Sequence, residues 1–247
     1  MATYTTEGIV LRRQNFGEAD RLLTIFTRGA GKIKAKARSV RKSGSKLAGH
    51  LDLLSCATMQ IATGKTDIEL VTQSQTVQIF RRVREDFQRT AAGMYAAELT
   101  DKITEFGAPD SRIYELLKQY LTELDAIALD KIDQHLAYYT FHLLKLSGFA
   151  PELTRCNNCQ KTLSESTTYF VPERGELLCQ ECAVNFGRAG LIDAPIFKAL
   201  RFLSRETLDT YLRLTLQSPQ QQSLNKILEE LAMHIIDRDL NARHLLH

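Results

Sequence analysis

The chain has 247 residues, an apolar content of 44% and a formal charge of +3. It is long and apolar enough for one large domain or two to three small ones, and too apolar for general disorder. No apolar run approaches the ~18 residues needed to span a bilayer. The opening MATYTTEGIVL has no basic stretch followed by an apolar one, so a cytoplasmic protein is expected, with no membrane partner. The charge is unevenly placed: Arg28 to Lys46 holds eight Lys or Arg and no Asp or Glu, a local +8 that leaves the remainder at −5. One basic patch on a mildly acidic body is the pattern of a site for a polyanion.

Residues 1–80 read as all-β. EGIVLRRQNF, RLLTIFTR, GKIKAKARSV, CATMQIAT and DIELVTQSQTV are five short runs rich in Ile, Val, Leu and Thr, punctuated by Gly17, Gly29, Gly31, Gly44 and Gly64. Five such strands predict a small closed barrel of the OB-fold kind, with an SH3-like barrel as the alternative. The third run is the informative one. Lys32, Lys34, Lys36 and Arg38 alternate with Ile33, Ala35 and Ala37. A period of two places all four cations on one face of a strand, whereas a helix would scatter them. The following loop, RKSGSK, continues the track with Arg41, Lys42 and Lys46, among Gly and Ser residues that let backbone approach phosphate. Lysines do protect sheet edges, but eight cations without one acid exceed that need. OB-folds bind single strands through such a basic groove, with aromatics that stack bases. Phe16, Phe26 and Tyr4 are candidate platforms, although Phe26 shares a strand face with Leu22 and suits the core.

Beyond Phe80 the period becomes helical. Val83, Phe87, Met94, Leu99, Ile103 and Phe106 make one stripe that ends at Gly107; Asp110 and Ser111 then start a second, over Ile113, Leu116, Leu117, Tyr120, Leu121 and Leu124. A third helix over 133–146 is apolar around much of its circumference and belongs at the centre of a bundle, ended by Gly148 and Pro151. Residues 196–208 and 224–240 read as two more helices.

Between the third and fourth helices stand CNNC at 156–159 and CQEC at 179–182. The spacing of Cys156, Cys159, Cys179 and Cys182 is that of a four-cysteine zinc site, and TTYFVPERGELL between them reads as strand, turn and strand. With four protein ligands no position is left for water, so one structural Zn²⁺ is expected rather than a catalytic one. Cys56, the fifth cysteine, sits on a predicted strand as a small buried residue.

No catalytic motif completes itself. Gly31-Lys32 is followed by Ile33 where a phosphate loop needs a hydroxyl, and Gly64-Lys65-Thr66 has Met59 where the first glycine belongs. His135, His142, His234, His244 and His247 make no nucleophilic or metal-protease pattern. A non-enzymatic protein is expected.

EGIVLRRQNFGEADRLLTIFT, the basic strand, the loop ending SKLAGHLDLLS, and the entry LSGFAPELTRCNNC into the cysteine module together resemble the RecO family of bacterial recombination mediators across essentially the whole chain. Ser39 stands where family members commonly carry a glycine. The resemblance implies an α+β chain with an OB-fold at 1–80, a helical domain at 81–154 and 186–247, and a zinc module at 155–185. It implies binding of single- and double-stranded DNA and annealing of complementary strands. With RecR, and often RecF, such proteins help load RecA onto strands coated by single-stranded DNA-binding protein (SSB), whose acidic, apolar tail they contact. The implied location is the bacterial cytoplasm, at the nucleoid. Carried onto this chain, the DNA role falls on Lys32, Lys34, Lys36, Arg38, Arg41, Lys42 and Lys46, with Arg12 and Arg13 as weaker candidates. An RNA-binding OB-fold protein of translation or ribosome assembly, and a scaffold for an acidic protein tail, would share the basic barrel.

Overall fold

A computed structural model describes residues 2–45, 47, 49–64, 66–236, 240, 242, 245 and 246. Two compact units emerge: residues 1–129 with 240–247, and residues 130–239.

The first unit begins with β1 (Thr3–Phe16), β2 (Asp20–Thr27), β3 (Gly31–Ala37), β4 (Cys56–Ala62) and β5 (Ile68–Gln78). They close into a barrel in the order β1-β2-β3-β5-β4, with β3 and β5 parallel and all other pairs antiparallel. This is the expected OB-fold arrangement. β1 closes the barrel because it is long enough to serve two partners. Residues Thr3–Ile9 pair with β4 and Gly8–Phe16 pair with β2, with a bulge between Val10 and Arg12 that bends the strand. Gly8 lies in the overlap. A Cβ there would stand 2.7 Å from an Ile25 methyl and 2.8 Å from Met59 Cε, so no larger residue fits the closed wall. The interior is filled by Val10, Leu23, Ile25, Ile33, Ala35, Ala37, Val40, Leu51, Ala57, Met59, Ile61 and Val71.

Two helices then cover the barrel's flank, after the short α1 (Arg81–Glu85): α2 (Phe87–Ile103) and α3 (Ser111–Ala126). Asp86 and Asp110 start them, accepting backbone N–H bonds from Arg89 at 2.9 Å and from Arg112 at 2.9 Å. The predicted stripe on α2 is corrected here. Asp86 is extended, interrupts the helix and restarts it; Val83 and Leu99 of the stripe are buried, and the buried face of α2 also holds Tyr95 and the small residues Ala91, Ala92, Gly93, Ala96 and Ala97. Phe87 and Phe106 are exposed, the latter because the helix stops at Ile103. Small residues let α2 lie close: a Cβ at Gly93 would be 2.9 Å from Leu54 Cδ1. Phe26, predicted to suit the core, is fully buried on the outer side of β2, its ring 6.2 Å from that of Tyr114 on α3.

The second unit has α4 (Ile132–Leu146), β6 (Thr168–Val171), β7 (Glu176–Cys179), α5 (Gln180–Ala183), β8 (Gly190–Leu191), α6 (Ala194–Arg205), α7 (Leu208–Tyr211) and α8 (Ser218–Ile236). α4 is buried around most of its surface and packs against α8 and α6, the central position expected. The helix expected over 196–208 is two helices, because Glu206 and Thr207 are extended and Thr207 caps α7. The helix expected over 224–240 begins earlier, at Ser218; residues 237–239 lie outside the described set. No helix among the described residues is long and apolar enough to cross a membrane.

Candidate DNA interface and metal centre

The alternation in β3 resolves as its period demands. Ile33, Ala35 and Ala37 point into the barrel core, and Lys32, Lys34 and Lys36 point out. The three outward lysines meet different surroundings. Lys34 and, just past the strand, Arg38 are exposed. Lys36 pairs with Asp20 at 2.8 Å. That contact and the Ser39 backbone N–H, 2.7 Å away, hold the Asp20 carboxyl below the usual carboxylate range.

Lys32 corrects the sequence reading. It is only 5% exposed; its ammonium lies 3.1 Å from the Asp101 carboxylate of α2 and also donates to the Asp101 carbonyl. A lysine buried in an ion pair has no free face for a phosphate, so Lys32 leaves the candidate set. Arg12 shares Asp101 at 3.5 Å, and Arg13 donates to Asp52 at 2.6 Å. Asp52 also takes Arg21 at 3.2 Å, which makes it an internal counter-charge for the β1–β2 flank.

Arg41 and Lys42 are exposed in the loop after β3. The Arg41 backbone N–H donates to the Ala19 carbonyl at 2.9 Å, which holds the loop beside the β1–β2 turn. Lys42 N–H donates to the Ser39 carbonyl at 3.1 Å, across a turn in which Ser39 takes φ +54°. That is the left-handed region where glycine is at ease. Lys46 lies outside the described residues. Lys34, Lys36, Arg38, Arg41 and Lys42 thus follow β3 into its loop as one cationic track. Of the aromatic candidates, Phe16 is exposed at the end of β1, Phe26 is buried, and Tyr4 is half-buried with its hydroxyl donating to Glu69 at 2.6 Å.

In the second unit the ligand atoms of Cys156, Cys159, Cys179 and Cys182 all lie within 4.8 Å of one another, and the four are free thiols. Cys159 Sγ and Cys179 Sγ are 3.6 Å apart. Four sulfurs at ~2.3 Å from a tetrahedral metal would be about 3.8 Å from each other, so the group can hold a metal ion. Local backbone structure builds it. Gln160, at φ +62°, turns the first pair back so that its N–H donates to the Cys156 carbonyl at 3.0 Å. The expected strand–turn–strand is present as β6 and β7, joined through Pro172–Gly175. β7 delivers Cys179, and the α5 turn delivers Cys182. Asn157 N–H donates to the Leu177 carbonyl at 3.1 Å and ties the first pair to β7. Burial alone would push the Cys156 thiol up. The N–H groups of Cys159, Cys179 and Asn158 outweigh it and bring the thiol down to about 6. A nest of N–H donors around sulfur suits a thiolate ligand.

The described histidines do not assemble into a catalytic set. His135 is buried in α4; His142 stacks on Tyr138 at 4.1 Å and meets the Leu203 carbonyl at 3.2 Å, with burial holding it below its ordinary range. His234 lies against Gly175. His244 and His247 fall outside the described residues. Cys56 is fully buried, 3.6 Å from the Tyr114 hydroxyl, and burial pushes its thiol up.

Fold and sites define an OB-barrel protein with a one-sided cationic strand and a separate four-thiol module. The chain matches the family description "Recombination protein O N terminal" over residues 1–80 and "Recombination protein O C terminal" over residues 84–244. It is 37% identical over 236 residues to a DNA repair protein RecO of Roseiflexus sp. (strain RS-1), an alignment covering 96% of this chain and 82% of the relative. It is 35% identical over 232 residues to one of Dehalococcoides mccartyi (94% and 87% covered), and 31% identical over 235 residues to one of Alkaliphilus metalliredigens (94% of each). The chain belongs to the RecO family of DNA repair proteins.

Proposed function

We propose that this protein is a non-enzymatic recombination mediator. It binds single- and double-stranded DNA on the outer face of the 1–80 barrel, through Lys34, Lys36, Arg38, Arg41 and Lys42. It anneals complementary strands and, with RecR and in some settings RecF, helps load RecA onto SSB-coated single strands, engaging the acidic tail of SSB. It does this in the bacterial cytoplasm, at the nucleoid. The observation that carries the DNA reading is the split in β3: cations out, Ile33, Ala35 and Ala37 in, on the strand face that OB-folds use for oligonucleotides.

Annealing needs no bond-making group. Cations that neutralise phosphates reduce repulsion between two strands, and contacts confined largely to backbone leave base edges free to pair. The test is annealing of SSB-coated complementary strands by the purified protein, with and without RecR. Acceleration that depends on Lys34, Arg38 and Arg41 supports the reading. Equal rates for wild type and a variant lacking those charges refute it.

We further infer that Cys156, Cys159, Cys179 and Cys182 hold one Zn²⁺. Its role is to fold the 155–185 module, which has only β6, β7 and one short helical turn for a core. The thiol set and its N–H nest support zinc over a harder metal.

A further inference from the structure

Phe106, expected on a helical stripe, lies beyond the helix and is 54% exposed; Phe16 is 49% exposed. Both rings lie beside the cationic row of β3. Lys36 Nζ sits 4.7 Å from the Phe16 ring centre; Lys32 and Lys34 Nζ sit 4.6 and 5.6 Å from the Phe106 ring centre. Among the described residues the other exposed phenylalanines, Phe87 and Phe149, do not adjoin the β3 lysines in this way.

The backbone fixes Phe106 in place. β5 pairs with β3 only from Lys34 onward, and β2 fills the other edge of β3 along its whole length. At Lys32 one edge is therefore open, and the segment leaving α2 takes it. Phe106 forms a parallel bridge with Lys32, and the Gly107 N–H donates to the Lys32 carbonyl at 3.0 Å. Gly31, at φ +71°, permits the approach, since a Cβ there would stand 2.5 Å from the Ala108 carbonyl. A large apolar ring is thus held out to solvent by main-chain bonds at one end of the row, and Phe16 stands at the other.

We propose that Phe106 and Phe16 are paired base-stacking platforms of a single-strand site on the outer face of β3. This rests on the proposed reading of that face as the DNA surface. Lys32 and Lys36, the lysines the rings adjoin, are four residues apart on one strand, which is ~13 Å at ~3.3 Å per residue. A stacked single strand advances ~3.4 Å per nucleotide, so the strand between these two lysines matches about four nucleotides. That matches the lower end of the roughly 4–16 nucleotides an OB-fold covers. Each ring is about half exposed, which leaves surface for a base, while the exposed Lys34 lies between Lys32 and Lys36 on the strand, available for phosphate. Duplex bases are already stacked on each other, so the rings discriminate single strands from duplex, which the cations alone do not.

The test compares binding of a labelled oligothymidylate and of a duplex by wild type, Phe16→Ala, Phe106→Ala and Phe106→Leu, with Lys34→Ala/Arg38→Ala/Arg41→Ala in parallel. Each ring variant should weaken the oligothymidylate about five-fold or more, with duplex affinity within two-fold and the salt slope unchanged. Phe106→Leu keeps the apolar bulk and should still lose the effect. The chain has no tryptophan, so Phe106→Trp supplies a single emitter, to be quenched by the oligothymidylate and not by duplex. Ring variants that leave oligothymidylate binding intact, or that weaken both ligands equally, overturn the proposal. An unchanged salt slope in the triple variant instead overturns the basic face. If the triple variant responds and the ring variants do not, stacking alone is refuted.

Discussion

The Lys32 ammonium and the Asp101 carboxylate meet at 3.1 Å, with the lysine 5% and the aspartate 8% exposed, and so join β3 to α2. Removing Lys32 leaves the buried Asp101 carboxylate with only the longer 3.5 Å contact to the exposed Arg12, at a cost toward the lower end of the about 3–5 kcal/mol that breaking a buried pair carries. Lys32→Ala is therefore expected to lower the denaturant midpoint markedly, while the salt dependence of DNA binding by the folded fraction keeps its slope. Lys32→Met/Asp101→Leu should recover much of the stability. Urea titrations of the three proteins check this, and a loss of salt slope with intact stability would return Lys32 to the DNA face.

A second junction predicts a pH dependence. Glu7 on β1 accepts from Lys118 at 2.7 Å and from the Tyr114 hydroxyl at 2.9 Å, both on α3. Burial alone would push the Glu7 carboxyl up, but these donors hold it below its ordinary 4.5. A depressed carboxylate contributes stability that is fully present above its unfolded value and is lost as pH falls through its folded value. Stability should therefore decline in acid from about pH 4.5 downward, and Glu7→Gln, less stable at neutral pH, should show a smaller decline. Midpoints measured at neutral pH and in acid test it; parallel declines would remove Glu7 from the acid limb.

The four-thiol group predicts one zinc per chain. Structural zinc sites in finger peptides gain about 10–16 kcal/mol on binding. Chelation should accordingly unfold the 155–185 segment, seen as lost amide protection in β6 and β7, while protection in the barrel strands persists. Full protection of β6 and β7 after stoichiometric metal removal would show that the module folds without it.

What the sequence reveals here follows the range of the interactions. The barrel strands, the inward Ile33, Ala35 and Ala37, and the cysteine pairs are set by local periods and spacings, and they stand where those place them. Lys32 looks identical to Lys34 along the strand; its fate is decided by Asp101, 69 residues away. Phe106 continues a helical stripe on paper, but Thr104 is extended and ends the helix, so the ring reaches the sheet edge instead. β8 has two residues, too few to carry a period. The positive φ at Ser39 is a backbone property, and the serine itself gives no sign of it.

Electrostatic capture of DNA by the outer face of β3 and its loop underlies the proposed function. The direct measurement is oligothymidylate affinity across a salt series for wild type and for Lys34→Ala/Arg38→Ala/Arg41→Ala, with folding of both verified. Each phosphate contact contributes about −0.7 to the log–log slope on single strands. The variant's slope should therefore be shallower by about 2. Identical slopes, with affinity unchanged at every salt concentration, would contradict the claim.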